Sequence, residues 1–156
     1  MSVVPGASYV VDTNVARTAN GDATHVDLQC QIACVAALEC VIECGTVVLD
    51  DGRLILDEYV NGLEGRIGMG TAFFKHVCTN AWVEDRVRRV PVDVDALPPN
   101  TLGKDQKFLA AAVSACAEVL NATDSDWALN AAVTASLGVG VVQLCPRYAA
   151  KSDTGA

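Results

Sequence analysis

The chain has 156 residues, of which 51% are hydrophobic and only 5% aromatic, and its formal net charge is −8. This length suits a single domain, and the composition requires a core of mainly small aliphatic side chains, as in layered α/β proteins. The acidic charge argues against a broad basic surface that binds nucleic acid. No apolar run reaches the roughly 18 residues of a membrane span, and the first residues lack signal-peptide features. We therefore expect a cytoplasmic protein with no membrane partner.

The first half of the chain predicts two strands, each followed by helix. The run SYVVDTNVA predicts a buried strand from about Tyr9 to Val11, with Asp12 at its carboxyl end. A long helix is expected in THVDLQCQIACVAALECVIECG, where Gly45 has the position of a C-cap. TVVLDDG predicts a second strand that ends in an Asp-Gly turn, and helical patterns follow in RLILDEYVNGLEGRIG and TAFFKHVCTNAW.

The second half continues the alternation. DRVRRVPVD predicts a strand, ALPPNTLG a loop, KDQKFLAAAVSACA a helix and EVLNA another strand. DSDWALNAAVTASLG predicts one helix with Ser125 or Asp126 as its N-cap, and VGVVQLCP predicts the last strand. We expect one domain over residues 1–148 and a disordered tail over residues 149–156.

Strands that alternate with helices predict a doubly wound α/β sandwich with a mainly parallel central sheet. Ligands of such folds bind beyond the carboxyl ends of the strands. Asp12 follows the first strand and Asp124 the fourth, while Asp105 begins the helix before the fourth strand and Glu58 lies early in the helix after the second. We therefore expect four carboxylates from distant parts of the chain to converge on one rim of the sheet.

These acidic segments resemble the motifs of a known family. VVDTNVA, ILDEYVNGL, KDQKFLAAAVSACAEVL and NATDSDW are similar, in order and spacing, to the acidic motifs of PIN-domain ribonucleases. The resemblance extends from about Tyr9 to Pro146. It implies a PIN-like αβα sandwich and a metal-dependent endoribonuclease that hydrolyses phosphodiester bonds by water attack and leaves a 5′-phosphate.

The resemblance also implies the site residues. Asp12, Glu58, Asp105 and Asp124 match the family's catalytic acids and metal ligands, and Asp126 matches a frequent fifth ligand. The implied cofactor is Mg²⁺ or Mn²⁺, and these hard cations prefer the carboxylate and water oxygens that such a set offers. A pair of ions can activate the attacking water and stabilise the leaving oxygen. Without metal, the acids should repel one another and titrate as a coupled group.

Two departures from the family pattern affect the site. The family often has a hydroxyl residue two positions before the fourth acid, where this chain has Ala122, so that hydroxyl is absent unless Thr123 supplies it. The second acid also has competitors, and Glu58 is preferred because its segment begins at the carboxyl end of the sheet. The competitors are Glu39, Glu43 and Asp57.

Asp124 and Asp126 also have a structural interpretation, in which they form a strand-to-helix turn with Asp126 as N-cap. The pair taken alone favours the turn, whereas Asp12 at the neighbouring strand end favours a metal site. Whether Asp126 is a ligand or a cap stays open. We expect Asn14 to support Asp12 through a hydrogen bond.

The candidate substrate-binding residues are cations that could meet the phosphate backbone: Lys104, Lys107 and Arg89. Lys104 is the best placed because it adjoins the proposed ligand Asp105. The alternative for Arg89 is that RVRR is the solvated part of an edge strand, and this alternative is favoured for the motif taken by itself.

The seven cysteines do not predict a disulfide framework, because their number is odd and no signal peptide is recognised. We expect reduced thiols. Cys30, Cys34, Cys40 and Cys44 fall within about a third of the circumference of one helix, which raises the hypothesis of a zinc site. No CxxC pair or histidine accompanies them, so core packing is favoured over metal.

The leading hypothesis is therefore a PIN-like ribonuclease that depends on Mg²⁺ or Mn²⁺, in the manner of a toxin or defence nuclease. The alternative is a catalytically weak PIN-like module that binds nucleic acid or protein. A receiver-type fold is disfavoured because no lysine follows the fifth strand. The partners that suit the leading hypothesis are RNA in preference to DNA, an antitoxin or defence-complex protein, and a second copy of the chain.

Overall fold

Five short strands form an all-parallel sheet in the order β3-β2-β1-β4-β5. The structure is a computed structural model, and it describes residues 3–150. Helices flank the sheet, so the predicted α/β sandwich with a parallel sheet is confirmed. The strands are β1 Ser8–Val11, β2 Thr46–Asp50, β3 Val87–Val90, β4 Glu118–Asn121 and β5 Val141–Gln143.

Within this described range, eight α-helices connect or follow the strands, and two short 3₁₀ turns, Val94–Ala96 and Gly103–Asp105, precede the fifth helix. Among the described residues, no helix is long and apolar enough to cross a membrane. The helices are α1 Thr13–Ala19, α2 Leu28–Cys44, α3 Leu54–Leu63, α4 Met69–Thr79, α5 Gln106–Ala115, α6 Asp126–Leu129, α7 Ala131–Ser136 and α8 Pro146–Ala149.

The sheet is wound in two directions from its centre. The chain runs from β1 through β2 to β3 on one side, and β4 and β5 continue on the other side. The helices α1 to α4 pack against one another, whereas α5 packs against β1, β2, β3 and β4. Because crossovers between parallel strands are right-handed, these two groups are expected on opposite faces of the sheet. The winding reverses between β1 and β4, so a crevice for a ligand is expected at the carboxyl ends of these two strands.

Close packing fixes α1, the helix that directly follows Asp12. Its residues Val15 and Ala16 are fully buried. Gly70 in α4 lies so near that a Cβ atom built there would be 1.9 Å from the carbonyl oxygen of Ala16. Only glycine therefore allows α4 to approach α1 this closely, and the contact holds the end of β1 in place.

Three details of the chain differ from the sequence-based expectation. The short helix α1 was not predicted, because seven residues with few apolar side chains give a weak helical pattern. The single helix expected after β4 is divided into α6 and α7 at Asn130, whose φ of −104° and ψ of 21° interrupt the helix. The disordered tail was expected from residue 149, but Ala149 is buried and is the last residue of α8. Residues 151–156 lie outside the described part of the chain.

The expectation of reduced thiols was wrong for two cysteines. Cys30, in the first turn of α2, and Cys145, after β5, form a disulfide although they are 115 residues apart in sequence. Tertiary packing brings them together, so no local pattern could reveal the pair. Cys34 packs in the core as predicted, and burial raises the pKa of its thiol to about 12. Cys44 is exposed, so the core interpretation fails for that residue.

Candidate metal centre

Three carboxylates from separate segments meet at the carboxyl ends of β1 and β4. Asp12, Asp105 and Asp124 each offer an oxygen atom, and these oxygens all lie within 4.8 Å of one another. Asp12 and Asp105 are buried, and Asp124 is half-buried. The convergence of these three predicted residues follows from the parallel sheet, because β1 and β4 are neighbours and the loop before α5 returns to the same rim.

Asp12 is held from both sides. It is the N-cap of α1, and its Oδ1 accepts a hydrogen bond of 3.2 Å from the backbone N–H of Asn14. Its Oδ2 accepts a hydrogen bond of 2.8 Å from the indole N–H of Trp127, which is itself buried. These two donors fix the orientation of the carboxylate that points into the crevice.

Asp124 and Asp126 have different roles. The Oδ1 of Asp124 accepts a hydrogen bond of 2.9 Å from the backbone N–H of Asp126, so Asp124 orders the start of α6. Asp126 is the first residue of that helix, and it is not a member of the group of three carboxylates. Asp124 is therefore one of the three acids that could hold a metal ion, whereas Asp126 lies outside this group.

Two asparagines hold the loop that carries Asp124. The side chain of Asn14 donates to Oδ1 of Asn121 at 3.0 Å and accepts from the backbone N–H groups of Ala122 and Thr123. Asn121 in turn donates to the carbonyl oxygen of Asp124 at 2.7 Å. Asn14 thus donates to Asp12 through its backbone, and its side chain joins the start of α1 to the end of β4 and the loop that follows it. Thr123 contributes a backbone donor to this network.

Glu58 lines the same cavity as the three carboxylates, and its charge is paired with that of Lys107. Its Oε1 forms an ion pair of 2.7 Å with the ammonium group of Lys107, and its Oε2 accepts a hydrogen bond from the hydroxyl of Thr13. Lys107 also donates to the carbonyl oxygen of Lys104. Glu58 lines the same cavity as the three aspartates, so the structure brings it to the predicted rim with its charge engaged by Lys107.

Burial and mutual repulsion change the protonation of the cluster. Burial, opposed by the hydrogen bonds from Trp127 and Asn14, raises the pKa of Asp12 from 3.8 to about 6. The pKa of Asp105 rises to about 9, first through burial and then through its interactions with Asp124 and Asp12. At neutral pH, without a metal, Asp105 therefore keeps its proton. The upward shifts of both pKa values agree with the predicted mutual repulsion of the acids.

The cluster fits a divalent cation. Oδ2 of Asp105 is buried and has no hydrogen-bond partner within the described part of the chain, which is a costly state for a polar atom. A small hard cation held by Asp12, Asp105 and Asp124 would satisfy this oxygen and offset the repulsion between carboxylates that adds to burial in raising the pKa values. The donor set contains only oxygen, which suits Mg²⁺ and Mn²⁺ better than softer ions.

A cavity of about 350 Å³ opens over the carboxylates. Lys104 lines it, as does Arg17 of α1, a cation that the sequence analysis did not single out. Arg89 is not among the described residues that line this cavity. Its guanidinium lies 3.4 Å from the ring centroid of Trp82, on the exposed edge strand β3. Arg89 therefore has the position of the edge-strand alternative rather than of a residue in the crevice.

The most important residue missed from the sequence is Trp127. A buried indole needs a hydrogen-bond acceptor for its N–H group, and here that acceptor is the central carboxylate of Asp12. The adjacency of Trp127 to Asp126 in DSDW was a usable signal for proximity to the site. Comparison with known proteins gives no further guidance, because no family model, no curated protein and no solved structure significantly matches the chain.

Proposed function

We propose that the protein is a metal-dependent endoribonuclease of the PIN-like type. The observation that carries the proposal is the meeting of Asp12, Asp105 and Asp124 at the point where the winding of the sheet reverses, with one buried carboxylate oxygen left unpaired among the described residues. Three acids in one crevice repel one another, and a divalent cation bound between them would offset that repulsion. The resemblance of the acidic motifs to those of PIN-domain ribonucleases supports the same function.

In this proposal, Asp12, Asp105 and Asp124 hold Mg²⁺ or Mn²⁺. The ion lowers the pKa of water and offsets the negative charge that develops on the phosphate. Trp127 and Asn14 keep the carboxylate of Asp12 aimed at the ion, so little reorganisation is needed during the reaction. In a site with two ions, Glu58 and Asp126 are the further acids in the neighbourhood.

The cations of the crevice suit a phosphate backbone. Lys104 and Arg17 line the cavity with the carboxylates and can contact the phosphates on either side of the bond that is cut. Burial and the neighbouring Asp124 raise the pKa of Asp126, and the charge of Lys104 opposes this rise, so Lys104 acts on the acids of the crevice. We propose RNA as the substrate in preference to DNA, a cytoplasmic setting, and control by an antitoxin or defence-complex protein.

A catalytically weak binding module is the second candidate. It is favoured by the ion pair between Glu58 and Lys107, which occupies one of the four predicted acids. Ala122, fully buried, also offers no hydroxyl to orient Asp124. In that case the crevice would bind metal and a phosphate backbone with little turnover, because Glu58 would not be free to take part.

Cleavage of end-labelled single-stranded RNA separates the two candidates. Purified protein should cut the RNA with Mn²⁺, should not cut it with a chelator, and should lose activity in the Asp124→Asn variant. A DNA strand of the same sequence tests the preference for RNA. The matched control is Asp51→Asn, an exposed carboxylate in the turn after β2. Metal-dependent binding of RNA without cleavage would favour the binding module.

A further inference from the structure

A second cluster of metal-ligating side chains lies where α2 meets the segment after β5. Cys30, Cys34 and Cys145 are all buried, and their sulfur atoms lie within 4.8 Å of one another. Cys30 and Cys34 are one helical turn apart, which places them on the same face of α2. Cys145 reaches this face from the end of the sheet, and its sulfur is 3.9 Å from that of Cys34. The three sulfurs thus come from two distant parts of the chain.

The arrangement of the sulfurs argues against simple exchange of disulfide partners. In thiol–disulfide exchange the attacking sulfur approaches along the line of the bond that breaks. An attack by Cys34 on one sulfur of the disulfide would then place the other sulfur beyond it on the same line, far from the thiol of Cys34. Here the sulfur of Cys34 is 3.9 Å from that of Cys145 and within 4.8 Å of that of Cys30, so it lies to the side of the disulfide bond and not on its line. Once the bond between Cys30 and Cys145 is reduced, three neighbouring thiols are available as ligands to one metal ion.

We propose that the three cysteines, once the Cys30–Cys145 disulfide is reduced, bind one soft monovalent metal ion of the Cu(I) class. Thiolates select soft ions such as Cu(I) and also zinc. Structural zinc sites take four ligands, however, and among the described residues no histidine or carboxylate joins this group of three. A low-coordinate ion is therefore the better match.

The surroundings allow an ion to enter. A cavity of about 170 Å³ is lined by both Cys30 and Cys145, together with Asp27 and Tyr148. Cys30 lies in the first turn of α2, where its backbone N–H donates to the carboxylate of the N-cap residue Asp27 at 3.0 Å. Cys34 lies behind this pair in the core and supplies the third sulfur.

The proposed site can bind the ion only when the Cys30–Cys145 disulfide is reduced. A dithiol reductant would supply two electrons and two protons to the Cys30–Cys145 bond, which becomes two thiols while the reductant becomes a disulfide. Each thiol that then binds the ion releases its proton to water. The disulfide and the metal use the same sulfurs, so the protein holds either the cross-link or the ion.

The test uses the full chain, reduced with a dithiol under anaerobic conditions, freed of the reductant and titrated with Cu(I) against a coloured Cu(I) chelator. We expect one equivalent of Cu(I) to bind to the reduced protein and none to the oxidised protein at this site. Cys34→Ala should weaken the affinity at least tenfold. This variant keeps both disulfide cysteines, so its fold can be checked by circular dichroism before reduction.

The matched control is Cys44→Ala, which removes an exposed thiol of the same helix and should leave Cu(I) binding unchanged. Three results would overturn the proposal. They are the absence of tight Cu(I) binding after reduction, the loss of binding in Cys44→Ala but not in Cys34→Ala, and tighter binding of Zn²⁺ than of Cu(I) relative to chelators of known affinity.

Discussion

Substitution of Asp12 by Asn should make the metal-free protein more stable at pH 8. The pKa of Asp12 is raised from 3.8 to about 6 by burial, so the folded protein holds this proton more tightly than the unfolded chain. The free energy of folding that this tighter proton binding contributes is fully present below about pH 4 and is lost as the pH rises through 6. At about 1.4 kcal/mol per pH unit, the ionised carboxylate then costs roughly 3 kcal/mol.

Part of this gain is offset in the variant. The side-chain amide of the Asp12→Asn variant has one acceptor oxygen for the two donors that the carboxylate satisfies, Asn14 and Trp127, so one hydrogen bond worth about 1 kcal/mol is lost. A net gain of about 2 kcal/mol remains, which corresponds to a melting temperature higher by roughly 4–8 °C for a chain of this size. Activity should be abolished, because the carboxylate that holds the ion is gone.

The assay is thermal unfolding of both proteins from pH 4 to pH 8 in the presence of a chelator, with Asp51→Asn as the control. The stability of the wild type should fall relative to Asp12→Asn between about pH 4 and pH 7, and the difference should then become constant. A variant that is no more stable than the wild type at pH 8 would refute the account of Asp12 as a buried carboxylate that is costly to ionise.

Three further changes test other parts of the site. Asp124→Asn should eliminate RNA cleavage, whereas Asp126→Asn should only reduce it and raise the Mn²⁺ concentration required; equal rates for Asp126→Asn and wild type at all metal concentrations would leave Asp126 without a role. Trp127→Phe should raise the pKa of Asp12, because it removes a hydrogen bond to the charged form, and should shift the acid limb of the pH–rate profile upward; an unmoved limb would contradict this. Gly70→Ala should lower the free energy of unfolding by more than about 2 kcal/mol in chemical denaturation, since α4 must move away from α1, and a change below about 0.5 kcal/mol would show that the close contact is not required.

The convergence of the aspartates could be predicted because it depends on regular features of the chain. Short buried strands that alternate with helices define a parallel sheet, and the carboxyl ends of its strands share one edge. Asp12 and Asp124 directly follow two such strands, so their positions require no knowledge of side-chain packing. Asp105 could be added because the helix that begins beside it must return to the same edge.

The partners of these acids could not be predicted, because they depend on packing between distant segments. The hydrogen bond from Trp127 to Asp12 joins residues 115 positions apart in the sequence. The ion pair of Glu58 with Lys107 and the disulfide of Cys30 with Cys145 also arise only when whole elements are docked. Sequence patterns reveal which elements exist, whereas these contacts depend on the side chains that meet between elements.

The measurement that tests the central claim most directly is calorimetric titration of Mn²⁺ into the protein at pH 7.5, repeated in buffers of different ionisation enthalpy. The pKa of Asp105 is raised to about 9, so a metal ion that binds there must displace its proton. We predict saturable binding by the wild type with release of about one proton per ion at that pH, and loss of both the affinity and the proton release in Asp105→Asn. Binding of Mn²⁺ that is identical in the two proteins, or no saturable binding to the wild type, would contradict a metal centre at these three carboxylates.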